Sequence, residues 1–174
     1  DTAQARGYDG MHFICGDIND YHPPYAPHLV LSLHACDIAT DVVLYHAQRL
    51  GAGVILSTPC CQHELNQRIQ CETLSGAFQY GLIRERTAAL MTDAMRGQLL
   101  EMKGYKTQLL EFIDMEHTPK NILIRAVKSK GLLPKAARKQ QEDRYRACRD
   151  FFGAELTLEK LFNEMEGETA YEQD

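Results

Sequence analysis

The chain has 174 residues, 44% of them apolar and 25% charged, with a formal net charge of −5. That is enough for one domain with a real core and short for two. The acidic balance gives no global nucleic-acid signature, and no run approaches the roughly 18 apolar residues of a membrane span.

Met11 to Cys15 is the first expected strand, ended by Gly16 and Asp17. Pro23, Pro24 and Pro27 then force a loop. Leu29 to Leu33 is a continuous apolar run, the pattern of a buried parallel strand. Asp37 to Leu50 reads as a helix, with Asp37 or Thr40 as its cap and Gly51 as its stop. Gly53 to Ser57 is the next strand, ended by Pro59. Residues 64–103 read as two or three helices, with breaks expected near Gly76, Gly81 and Gly97. In that region Met91, Met95, Leu99 and Met102 make a stripe at helical spacing, read as core packing. Lys106 to Ile113 and Asn121 to Val127 are strands too close in sequence for a crossover helix, so an antiparallel pair is expected. Lys128 to Arg149 is a basic helical stretch whose Tyr145, together with Phe151 and Phe152 just beyond it, reads as docking aromatics. The order predicts an α/β sheet with an antiparallel edge.

Ligands of open α/β sheets bind beyond the carboxyl ends of the parallel strands. The chain delivers polar, reactive clusters there: Asp17 and Ile18; His34, Ala35, Cys36 and Asp37; Cys60, Cys61 and His63; and Asp114, Glu116, His117, Thr118, Lys120 and Asn121. Their convergence on one edge is the strongest argument from the residues alone for a site. His34 or Asp37 could serve as a base, or His34 could pack and Asp37 cap a helix. Lys120 and Asn121 could hold a phosphate or substrate. Asp93 and Arg96, three apart, read as a surface ion pair. Cys60, Cys61 and His63 could bind zinc with Cys36 or His34, but no Cys-x-x-Cys pair supports it, and zinc is not expected. The six cysteines read as reduced thiols, as in a cytoplasmic protein. The chain opens at Asp1 without methionine or a signal-peptide pattern, as a processed or shortened polypeptide does.

Leu33 to Asp41, reading Leu-His-Ala-Cys-Asp-Ile-Ala-Thr-Asp, and Pro59-Cys60-Cys61-Gln62-His63 together resemble one branch of the class I S-adenosylmethionine-dependent methyltransferases. That branch includes tRNA 2′-O-methyltransferases and bacterial and eukaryotic proteins of unclear substrate. Thr92 to Arg96 and Thr118 to Asn121 also look like the bacterial members. The resemblance covers most of Met11 to Lys128. It implies a partial Rossmann-like methyltransferase sheet holding strands 3, 4, 5, 6 and 7 of the order 3-2-1-4-5-7-6, with strand 7 reversed. Strands 1 and 2, which carry the glycine-rich loop and the ribose-binding acid, have no counterpart. The resemblance places Asp17 and Ile18 at the adenine, with His34 and Ala35 also by the cofactor, and His34 and Asp37 as catalytic residues. Cys60, Cys61, His63, Lys120 and Asn121 would face the substrate. It implies S-adenosyl-L-methionine as cofactor of the intact protein and RNA or tRNA as substrate. Cofactor binding by this chain alone is not expected. Asp17 could instead merely cap a turn.

Three segments are expected: residues 1–128 as the C-terminal part of the methyltransferase domain, 129–165 as a basic helical extension, and 166–174 as an acidic, disordered tail. An uncovered strand 3 predicts a homodimer through the sheet edge or a rearranged edge. A non-catalytic binding or assembly module built on the same fold is the alternative, and a thiol- or zinc-dependent protein is a third reading.

Overall fold

The computed structural model describes residues 2–113, 118, 120–131 and 133–171, with the side chains after 164 left aside. In chain order the elements are α1 (Thr2–Ala5), a 3-10 turn (Ile18–Asp20), β1 (Leu29–Ser32), α2 (Ile38–Arg49), β2 (Val54–Ser57), α3 (His63–Arg68), a second 3-10 turn (Glu72–Leu74), α4 (Ser75–Phe78), α5 (Gly81–Met102), β3 (Tyr105–Glu111), β4 (Ile122–Lys128), α6 (Lys135–Phe152) and α7 (Thr157–Tyr171). Of the expected acidic tail, residues 172–174 lie outside the described residues.

The four strands form one sheet in the order β1-β2-β4-β3. β1 and β2 are parallel, and β4 runs antiparallel to both β2 and β3. The short gap between β3 and β4 does make the expected antiparallel pair. Rows cross the sheet in register. Val30, Ile55, Ala126 and Thr107 form one row, and Leu31, Leu56, Arg125 and Gln108 form the next. Side chains alternate faces along a strand, so these rows point opposite ways.

The helices cover the first of these faces. Ile55, Ala126 and Ile124 are fully buried against Leu44 and Ala47 of α2 and Ala88, Met95, Leu99 and Leu100 of α5. The stripe from Met91 to Met102 does pack into the core. Gly97 does not break α5, contrary to expectation. It faces β3, where a methyl would meet Thr107 Cγ2 at 3.4 Å, an ordinary packing distance. Gly51 ends α2 in the left-handed conformation, at φ 70°. α6 and α7 complete the layer through Tyr145, Phe152, Leu158 and Phe162, all buried. Phe151 points outward instead.

Two expectations about the sheet are corrected. Residues 11–15 form no strand: Phe13 is 72% exposed and the segment has no regular structure. An extended apolar run is a strand only when a neighbour takes its backbone hydrogen bonds, and among the described residues nothing pairs with the outer side of β1. Among the described residues the sheet therefore has four strands and not five. β1 is also not buried on both sides, because Leu29, Leu31 and Leu33 are exposed on the face that carries no helix. Among the described residues no helix is long and apolar enough to cross a membrane.

Candidate functional site

β1 and β2 end side by side, with Ser32 opposite Ser57. The loops that follow are stapled together. Thr58 donates its N–H to Ser32 O at 2.9 Å and its hydroxyl to Leu33 O at 2.8 Å. Asp37 donates its N–H to Cys61 O at 3.2 Å. His34 and Cys36 leave β1 two residues apart, and Pro59 sets up Cys60 on the neighbouring loop. The result is a convergence of soft donors. Cys60 Sγ lies 2.9 Å from Cys36 Sγ, 3.7 Å from Cys61 Sγ and 3.8 Å from His34 Nδ1. The ligand atoms of His34, Cys36 and Cys60 all fall within 4.8 Å of one another. His34 is exposed, while Cys36, Cys60 and Cys61 are half-buried. The hydrogen bond to Cys36, with burial and Cys61 adding to it, pushes the Cys60 thiol up to about 12. The bare thiol is therefore a poor nucleophile at neutral pH. None of the six cysteines is in a disulfide.

Asp37 holds this rim together. Its backbone sits at φ 53°, ψ −120°, the only non-glycine residue with positive φ among the described residues. Those angles belong to the first central position of a type II′ turn, where glycine is usual. The turn closes with Ala39 N–H donating to Cys36 O at 3.0 Å. Such a conformation persists only when its surroundings over-determine it, and here three elements do so. Cys61 O takes the Asp37 N–H, and Arg96 Nη2 donates to its carbonyl at 2.8 Å. The Asp37 carboxylate accepts the Glu64 N–H at 3.1 Å. It thus caps the start of α3 and makes no side-chain cap to its own helix, α2.

Beneath the rim lies a buried charge network that the sequence reading placed on the surface. Arg96 is 1% exposed, Asp93 2% and Asp41 fully buried. Arg96 Nε donates to Asp41 at 2.7 Å and its Nη1 to Asp93 at 3.1 Å, while Gln62 Nε2 donates to Asp93 at 3.0 Å. The surface ion pair expected of Asp93 and Arg96 is corrected accordingly. A spacing of three shows that two side chains share a helix face, not which way that face points. Two carboxylates meet one guanidinium here, so one carboxylate charge has no cation of its own among the described residues. Burial pushes Asp93 up to about 6 against the pull of Arg96. It raises Asp41 too, whose Oδ2 has no partner. Sequence reasoning missed Asp41, Gln62 and Glu64 as supports of the site. Thr40-Asp41 and Thr92 to Arg96 were visible as motifs, and two acids with one arginine was the signal.

The remaining expected site residues sit elsewhere or have other partners. Asp17 caps the first 3-10 turn, accepting from Asn19 N and Nδ2 at 2.9 and 2.8 Å. Asn19 is tied to the Nε2 of buried His46 at 2.9 Å. His46 lies eight residues into α2, which is about 12 Å along its axis from the rim. Ile18 forms part of an apolar groove of 560 Å³ with Tyr21, Val43 and Leu50. The structure does not bring Asp17 and Ile18 to His34. Ala35 uses its carbonyl to accept from Thr40 Oγ1. Lys120 pairs with Glu85 at 2.8 Å. Asn121 is buried and donates to Ile113 O at 2.9 Å, closing the β3–β4 hairpin. His63 is exposed at the start of α3. Asp114, Glu116 and His117 lie outside the described residues.

Residues 1–68 match a family model described as a methyltransferase domain. The match supports a methyltransferase domain over the stretch that contains β1, α2, β2 and the whole thiol–imidazole rim. No curated protein matches the chain, and no solved structure does.

Methyltransferases in general imply S-adenosylmethionine, so the fit of these residues to it can be tested. The Asp17 carboxylate is already occupied by Asn19, and Ile18 faces the groove along α2. No glycine loop follows β1 or β2. The described residues do not by themselves make a site for that cofactor, and no step is derived through it.

Proposed function

We propose that this chain supplies the acceptor-substrate side of a cytoplasmic S-adenosylmethionine-dependent methyltransferase acting on RNA, tRNA above all. The observation that carries the reading is the methyltransferase-domain match over the two parallel strands whose ends carry His34, Cys36, Asp37 and Cys60. The strand order supports it, since β1-β2-β4-β3 with β4 reversed is the order 4-5-7-6 of the class I sheet. The helix-free face supports it too, because a class I sheet carries helices on both faces and this is where the cofactor-binding half would pack. His34 and Asp37 are the base candidates, with Cys60, Cys61 and His63 lining the substrate side. For RNA, α6 offers Lys135, Arg144 and Arg146, which have no ion pair among the described residues, whereas Arg138, Lys139 and Arg149 are neutralised by neighbouring acids.

Two measurements test this. Titration calorimetry of S-adenosylmethionine into the chain alone should give no saturable heat, and micromolar binding would overturn the division of labour. Fluorescence anisotropy with bulk tRNA should show binding that weakens with salt and that Lys135→Glu, Arg144→Glu and Arg146→Glu together reduce by at least ~10-fold. No binding at low salt would remove RNA from the proposal.

A second reading is favoured by a specific observation. Leu29, Leu31 and Leu33 are exposed beside the unpaired edge of β1, which suits a non-catalytic assembly module or homodimer. Light scattering of the purified chain distinguishes it: a dimer dissociated by Leu31→Lys supports assembly through this strand.

A further inference from the structure

We infer that His34, Cys36 and Cys60 form a binding site for a zinc-class divalent cation, with one coordination position left open to solvent. Two neighbouring parallel strands deliver the donors from loops stapled by Thr58 and Asp37, so their positions are set by the sheet and not by a free loop. One imidazole nitrogen and two sulfurs then lie within 4.8 Å of one another. Thiolate and imidazole together suit zinc rather than hard cations, which prefer oxygen.

The distances fit a shared ion. Ligands on tetrahedral zinc, with bonds of ~2.3 Å to sulfur and ~2.0 Å to nitrogen, stand roughly 3.5–3.8 Å apart. Cys60 Sγ and His34 Nδ1 are already 3.8 Å apart. Cys36 Sγ, at 2.9 Å from Cys60 Sγ, is too far for a disulfide and must move outward by less than ~1 Å to meet that spacing. A side-chain rotation achieves this without moving the clamped backbone. Cys61 is 3.7 Å from Cys60 but does not join the convergent set. Structural zinc sites close with four protein ligands, and sites that act on a substrate keep three. This one has three, on the strand ends, with His34 exposed. The open position would take water or a hydroxyl, amine or thiol of a substrate and lower the pKa of that group. Metal binding stands independently of the methyl-transfer reading, and its test needs no turnover.

The test uses the 174-residue chain, reduced and stripped of metal, titrated with Co(II) and followed by absorption. One equivalent should bring up the thiolate-to-cobalt charge-transfer band and the intense visible bands of a tetrahedral ion, and Zn(II) should bleach both. Cys36→Ser and Cys60→Ser should each weaken binding by more than the ~10–100-fold that loss of an outer-shell partner costs. His34→Ala should remove binding to a similar degree. Cys15→Ser and Cys148→Ser should bind as the parent does, which controls for stray thiols. Circular dichroism checks that each variant is folded; for any that is not, alkylation of the parent with and without Zn(II) reads the same point, with Cys36 and Cys60 protected only by metal. Absence of the charge-transfer band in the parent, or its persistence in both cysteine variants, would overturn the site. A loss in Cys61→Ser equal to that in Cys60→Ser would overturn the open position.

Discussion

Along each strand of the sheet, neighbouring residues live in different surroundings. Val30, Ile55, Ala126 and Thr107 lie under α2 and α5. One residue further on, Leu31 is 53% exposed, and Leu56 and Arg125 face the same open side. Arg125 and Gln108 bond each other there at 2.6 Å, while the β1 end of that face presents bare leucines. The finished face carries the stability of the isolated chain, and the open face carries its capacity to accept something else. The rim of thiols and imidazole belongs to the boundary between them, held from the finished side by Arg96.

This contrast can be broken in four ways. Arg96→Met should act most strongly, because it leaves two buried carboxylates without their cation. A loss of about 3–5 kcal/mol in urea unfolding is expected, and a loss under 1 kcal/mol would mean that the network is wet. The same network fixes a pH dependence. Asp93 titrates near 6 in the fold and at 3.8 unfolded, so the fold holds that proton more tightly. Its stabilisation is present below 3.8 and is lost as pH rises through 6. Asp93→Asn should reduce that fall and leave the part due to Asp41, and an unchanged slope would show that Asp93 is charged throughout. Next, Ile55→Ala should cost about 2–5 kcal/mol, whereas its neighbour in the next row, Leu31→Thr, should change stability by less than about 0.5 kcal/mol. Equal losses at these two positions would show that both faces are packed. Between them falls Asp37. Asp37→Ala keeps the strained φ and loses the bond to Glu64, while Asp37→Gly relieves the strain. Glycine should therefore be the more stable of the two variants by about 1 kcal/mol, and the reverse order would place the strain elsewhere.

Much of the covered half was legible in the sequence. The apolar run from Leu29, the helix ended by Gly51 and the close spacing of β3 and β4 each reflect a local rule, and each appears as a matching element. Residues 11–15 have the same strand-like composition as β1 and yet form none, because pairing is not local. Gly97 looked like a breaker, yet α5 runs unbroken through it where the helix packs on β3. At the site, sequence placed His34, Cys36 and Cys60 on one edge but not their mutual distances. It misjudged Asp93 and Arg96, since periodicity gives a face and not its environment.

Glu64 has a consequence beyond its own helix. Its N–H is held by Asp37, and its carboxylate takes both the N–H and the hydroxyl of Thr157, at 3.1 and 2.8 Å. A chain of bonds therefore runs from the peptide beside Cys36 to the first turn of α7, whose Glu159 is in turn bonded to Tyr145 and Arg149 of α6. The cationic helix is thus keyed to the thiol rim like the two arms of a caliper. Any long ligand that touched both would be measured as well as held.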